Sequence, residues 1–221
     1  MQNTNTITRS AESVLSTNRV LRNTYALLAA TLLFSGVMAA ISMAVAPPRG
    51  MSLICTLGAL GVLMFLLPKY ENSSTGVGIV FLGTGLLGFG LGPMLNAYAA
   101  LPNGSAIVAT AMGGTGVIFL ALSAYVLTTK KTFEFMGGML FVGLIVVFGA
   151  AIINIFAQIP ALSLVISSAI VLLMSGFILF DTSRIVNGGE TNYIRATVSM
   201  FLNIFNLFTS LLHLLGIMSD D

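Results

Sequence analysis

Five polar residues recur at intervals of four, three, four and three near the end of the chain: Ser199, Asn203, Asn206, Ser210 and His213. That spacing puts all five on one face of a helix. Their neighbours are apolar. The stripe therefore either locks helices together by hydrogen bonds or forms one wall of a hydrated path. His213, at the far end, fits an interfacial position better than a ligand set. A single carboxylate, Asp181, closes an apolar run in Phe177-Ile178-Leu179-Phe180-Asp181-Thr182-Ser183-Arg184. A carboxylate near a helix C-terminus opposes the helix dipole, so something must compensate it. Two arrangements do so. Arg184, three residues on, can pair with it at a wetted boundary. Alternatively the helix continues inward and Asp181 faces the polar stripe. Asn96 and Asn154 are isolated polar residues expected to hydrogen bond inside a bundle.

Other chemistries find no residues to carry them. There is no His-Glu-x-x-His pair, no serine in a Gly-x-Ser-x-Gly elbow, no phosphate loop and no cluster of metal ligands. The sole histidine shares its helix with the nearest serine. No lysine falls within an apolar stretch, which excludes a retinal Schiff base of the rhodopsin type. No catalytic residue, cofactor or metal site is expected, and neither enzymatic activity nor a nucleic-acid partner is indicated. Cys55 is the only thiol, so no disulfide can form within the chain.

The elements that position these residues follow from where charge is missing. Only 7% of residues are charged, 57% are hydrophobic and the mean hydropathy is +1.01. Uncharged stretches of 26, 19, 58, 46 and 24 residues begin after Arg22, Arg49, Glu71, Glu134 and Arg195. A bilayer-crossing helix needs about 20 apolar residues. The third and fourth stretches hold two crossings each, divided at Leu101-Pro102-Asn103-Gly104 and Gln158-Ile159-Pro160. Seven spans result, near 24–46, 51–68, 76–100, 105–128, 135–157, 161–181 and 194–217. The fold class is an all-α polytopic membrane bundle, a single domain over 24–221, with the lipid bilayer as its solvent.

Positive residues orient it. Arg9, Arg19, Arg22, Lys69, Lys130, Lys131, Arg184 and Arg195 fall on one side and Arg49 alone on the other. Lys and Arg concentrate on the cytoplasmic side, so the N-terminus is expected inside and Asp220-Asp221 outside. Ala44-Val45-Ala46 resembles a signal-peptide cleavage site, but the apolar region before it is too long for a signal core. Residues 1–23 are rich in Asn, Thr and Ser and are expected to form a short, mobile cytoplasmic tail. Ser16-Thr17-Asn18 offers a cap for the first helix.

Glycines mark the helix contacts. Gly78, Gly85, Gly88 and Gly92 share one face of the third span, where small residues let backbones approach. Gly113, Gly114 and Gly116 in the fourth span, and Gly137, Gly138 and Gly143 in the fifth, extend the theme. Tight packing explains this pattern more simply than a gating helix. Pro93 should kink or break the third helix.

Leu21-Arg22-Asn23-Thr24-Tyr25, Gly90-Leu91-Gly92-Pro93 and Phe180-Asp181-Thr182-Ser183 resemble the Bax inhibitor-1 family. The run from Gly188-Gly189-Glu190-Thr191-Asn192-Tyr193-Ile194-Arg195 to Ser199, continuing at Asn206-Leu207-Phe208, is similar to its bacterial YccA-like branch. The resemblance covers essentially the whole chain. It implies a seven-helix bundle of the Bax inhibitor-1 type in the bacterial inner membrane, with a periplasmic C-terminus. It also implies two functions. Several members are regarded as pH-sensitive calcium leak channels, with calcium or protons as partners. Their sensor pairs an aspartate ending the sixth helix with one in the seventh. Asp181 matches the first, but the second position, in Leu202-Asn203-Ile204-Phe205-Asn206, holds Asn203. Nearby carboxylates share a proton and titrate together, whereas asparagine does not ionise. Asn203 can instead donate a hydrogen bond to Asp181, and the leak function is weakened. The YccA-like branch is associated with the membrane-anchored AAA protease FtsH, as a modulator or poor substrate. Residues 1–23, with Gln2, Arg9 and Glu12, would be the segment the protease grips, and the glycine-packed body would resist extraction.

Overall fold

The computed structural model describes residues 3–48 and 50–218, with side chains from residue 17 onward. Among the described residues, seven helices are long and apolar enough to cross a bilayer, and no strand occurs. They are α1 (Asn3–Val45), α2 (Gly50–Tyr70), α3 (Ser74–Ala99), α4 (Gly104–Thr129), α5 (Gly137–Ala157), α6 (Pro160–Val186) and α7 (Tyr193–Met218).

Two ends differ from expectation. The backbone is helical from Asn3, well before the expected cap at Ser16-Thr17-Asn18. A helix already nucleated in the membrane gains a hydrogen bond for each residue added, and residues 3–23 contain no glycine or proline to stop it. Ser16-Thr17-Asn18 is therefore helix interior and not a cap. Gln2 lies outside the described residues. Arg9 and Glu12 lie on the helical stretch, with side chains outside the described set. At the other site of interest, α6 runs to Val186, five residues beyond Asp181.

Proline and left-handed residues shape the turns. Pro93 lies inside α3 without breaking it. Pro68 lies inside α2, just after a π turn at Val62–Leu66 in which the Leu67 N–H reaches the Val62 carbonyl. Proline has no N–H and crowds the carbonyl four residues back, so a widened turn relieves the ladder there. Between α5 and α6, Gln158 is left-handed, Ile159 is extended and Pro160 opens α6.

Helices α3 and α7 are the most enclosed, and α5 sits at the periphery against α6 with only Leu140 buried. The heaviest contact joins α1 to α3. A side chain at Gly88 would strike the Ser35 backbone, and one at Gly92 would strike Ser42. Asn96 Nδ2 donates to the Met43 carbonyl at 3.0 Å in the same seam. Residue numbers rise together along both helices, so they run parallel. Gly85 meets the Phe34 ring. Gly78 does not join this face and has nothing within 4 Å. The first turn of α3 leans instead through Gly76 on the Tyr70 carbonyl and Ile194. Gly113, Gly116 and Gly138 also face open space, and Gly114 only touches Leu211, whereas Gly137 and Gly143 pack on Phe180 and Leu173.

Candidate functional site: a buried carboxylate between α6 and α7

Because α6 continues past Asp181, the carboxylate points at α7 and not at a boundary. Its side chain is buried. Ser199 Oγ donates to Asp181 Oδ2 at 2.5 Å, and Asn203 Nδ2 donates to the same oxygen at 2.7 Å. Ser199 and Asn203 are one turn apart on α7, which is why both reach one carboxylate.

Arg184 forms its ion pair with Glu190 and only shares the cavity with Asp181. Its Nη2 lies 3.7 Å from Glu190 Oε2 and donates to the Gly189 carbonyl at 3.3 Å, while the guanidinium sits 5.6 Å from the Phe180 ring centroid. Glu190 comes within reach because α6 ends in a tight reversal. Asn187 Nδ2 donates to the Ser183 carbonyl, Gly188 adopts a left-handed φ of 78°, and the N–H groups of Gly189 and Glu190 both return to the Arg184 carbonyl. Glycine adopts that conformation without steric penalty. Glu190 Oε2 also meets Arg195 Nε at 3.3 Å, and Arg195 Nη1 lies 3.7 Å from Glu71 Oε1.

Asn192 holds this network in register. Its Oδ1 accepts the N–H groups of Ile194 and Arg195, capping α7. Its Nδ2 donates to the Glu71 carbonyl and to Asn72 Oδ1, both at 3.0 Å. Its own N–H donates to Glu190 Oε1. A cavity of about 240 Å³ lies beneath, lined by Asp181, Arg184, Ile185, Glu190, Arg195, Ala196 and Ser199.

The rest of the polar stripe separates. Asn206 is exposed and donates to the Leu202 carbonyl of its own helix. Ser210 is buried further along α7. His213 Nδ1 lies 3.3 Å from Tyr98 Oη on α3 and borders a second, open cleft of about 560 Å³ with Asn154, Ser163 and Ser167. A 3.5-residue repeat drifts around a 3.6-residue helix, and different helices flank α7 along its length. Asn154 closes the α5–α6 turn, donating to Ser163 Oγ and accepting from the Ile159 N–H.

Sequence reasoning missed Glu190, Asn192, Arg195 and Glu71 as members of the site. The available signal was an asparagine immediately before a long apolar helix, flanked by opposite charges. Among the described residues, no three His, Cys, Asp or Glu side chains converge to hold a metal ion. A buried carboxylate held by neutral donors can exchange a proton or meet a cation.

A family model described as "Inhibitor of apoptosis-promoting Bax1" matches residues 17–220. A membrane protein of Vibrio cholerae is 55% identical over 216 residues, which covers 98% of this chain and 97% of that one. The modulator of FtsH protease YccA from Escherichia coli is 50% identical over 209 residues, covering 95% of this chain and 94% of that one. A Pseudomonas aeruginosa protein is 46% identical over 202 residues, 91% and 90% of the two chains.

Proposed function

The chain belongs to the Bax inhibitor-1 family, and from that premise we propose that it is an inner-membrane modulator of an FtsH-type AAA protease, acting as a poorly extracted substrate. The observation that carries this is the 50% identity to the E. coli modulator across 95% of the chain. The packing supports a mechanism. A protease that pulls from the amino end must draw α1 out first, and α1 makes the most extensive helix contact of the bundle. Its seam with α3 is backbone-close at Gly88 and Gly92 and is tied by Asn96. Lipid gives the two helices no better partners than each other. The protease would engage the segment carrying Gln2, Arg9 and Glu12 and then stall. In this proposal the N-terminus is cytoplasmic and the C-terminus periplasmic, as the asymmetry of Lys and Arg favours.

Deleting residues 2–12 tests it. The expected result is loss of co-purification with the protease and faster turnover of a reference substrate, with an unchanged melting temperature for the body. Unchanged association and unchanged inhibition remove the segment from the mechanism.

A second function is favoured by one observation, the buried Asp181 beside a cavity. It is a cation leak governed by that carboxylate. Vesicles reconstituted with the protein and loaded with a calcium dye report it. A leak abolished by Asp181→Asn supports this reading, and no flux from acid to neutral pH discards it.

A further inference from the structure

We propose that Glu71, Arg195, Glu190 and Arg184 form a charged latch that closes the Asp181 cavity, with Glu190 as its centre. The inference concerns access to the carboxylate and needs neither protease binding nor ion flux. The four groups come from separate places: the end of α2, the first turn of α7, the α6–α7 loop and the last turn of α6. They converge only in the fold, and three of them also line the cavity with Asp181.

Burial orders them. The Glu190 side chain is 9% exposed, whereas those of Arg184 and Arg195 are 37% and 56% exposed. The carboxylate therefore lies inside and the two guanidiniums lie over it. A buried carboxylate needs paired charge or donors, and Glu190 has both: two arginines at Oε2 and the Asn192 N–H at Oε1. The arginines in turn need Glu190, because without it two like charges face each other across one small cavity. Glu71 and the two Asn192 Nδ2 bonds fasten this cover to the α2–α3 turn. Partly exposed ion pairs are weak singly, so the cover is held by a chain of contacts that part together. The Gly188-Gly189 reversal, with the left-handed Gly188, turns the chain back on the end of α6 and sets Glu190 between the two arginines.

Cysteine accessibility tests the latch. In a Cys55→Ser background, Ala196→Cys and Ser199→Cys each place a thiol on the cavity wall, and Asn103→Cys supplies an exposed control. The purified variants are treated with methyl methanethiosulfonate, a small neutral reagent, and modification is timed by mass spectrometry. With Glu190→Gln added, both wall thiols should react about tenfold faster while the control is unchanged, because unpaired guanidiniums repel. With the latch intact, raising salt from about 0.05 to about 1 M should also speed the wall thiols, since it shortens the screening length several-fold. If Glu190→Gln does not yield folded protein, the salt series decides alone. Wall-thiol rates indifferent to both Glu190→Gln and salt overturn the proposal, and so does indifference to salt where only that series can be run.

Discussion

Asn203 donates to Asp181 Oδ2 across 2.7 Å, so α6 and α7 are joined at this point by a carboxylate and a neutral donor. Ser199 donates to the same oxygen. The carboxylate is thus satisfied by two groups that do not titrate in the working pH range. Any response of this site to pH must come from Asp181 itself or from the ionic cover above it.

Asn203→Asp should convert that contact into a repulsion. Two carboxylates at hydrogen-bond distance cannot both carry charge cheaply. The folded variant keeps a proton on the pair that the unfolded chain releases at neutral pH. Stability then falls as pH rises, because the unfolded state binds fewer protons. The variant should be about 1–3 kcal/mol less stable than the parent at neutral pH, the cost of disrupting a buried polar contact, with the gap narrowing in acid. Thermal melting in detergent across a pH series measures this. Parallel curves for the two proteins would refute a close pair.

The α1–α3 seam predicts a sharp contrast among glycines. Gly92→Leu and Gly88→Val insert side chains against Ser42 and Ser35. Overpacking of this kind costs about 1–3 kcal/mol, and backbone atoms cannot rotate away. Gly113→Ala and Gly116→Ala meet open space and should be neutral or stabilising by up to about 1 kcal/mol, since alanine favours helix. Equal losses at all four positions would show that the seam is not special.

The seven crossings were legible because lipid permits no unpaired backbone, which makes apolar length decisive. The surroundings of Asp181 were not, since the choice between boundary and interior hung on whether α6 stopped at 181 or continued to Val186. Periodicity placed Asn203 and Asn206 together, yet a turn of helix apart one meets α6 and the other faces out. Only the neighbours distinguish them. Glu190 was hidden for a different reason: Glu71 lies more than a hundred residues from it in sequence, and no local pattern links them. The glycines show the same limit, for Gly78 has the right spacing but no helix opposite it.

Orientation rests on charge alone and predicts the behaviour of fusions. Eight of nine Lys and Arg residues lie on one side of the seven-span arrangement. A reporter active only in the cytoplasm should work when fused before Met1 and fail when fused after Asp221. Activity at both ends would require an even number of crossings.

Asn192→Ala isolates the contribution of the loop clasp. Asn192 caps two N–H groups of α7 and binds both the Glu71 carbonyl and Asn72. Losing a cap costs about 0.5–2 kcal/mol, and the freed groups at the α2–α3 turn add to it. Asn206→Ala is the matched control, because that side chain is exposed and binds only its own helix. Its replacement should change stability by no more than about 0.5 kcal/mol. The variants are compared by thermal melting, and hydrogen exchange at residues 193–196 reports the first turn of α7 directly. Faster exchange there in Asn192→Ala alone is the expected result. Identical exchange in both variants would mean that the first turn of α7 is held by packing against its neighbours and not by the asparagine.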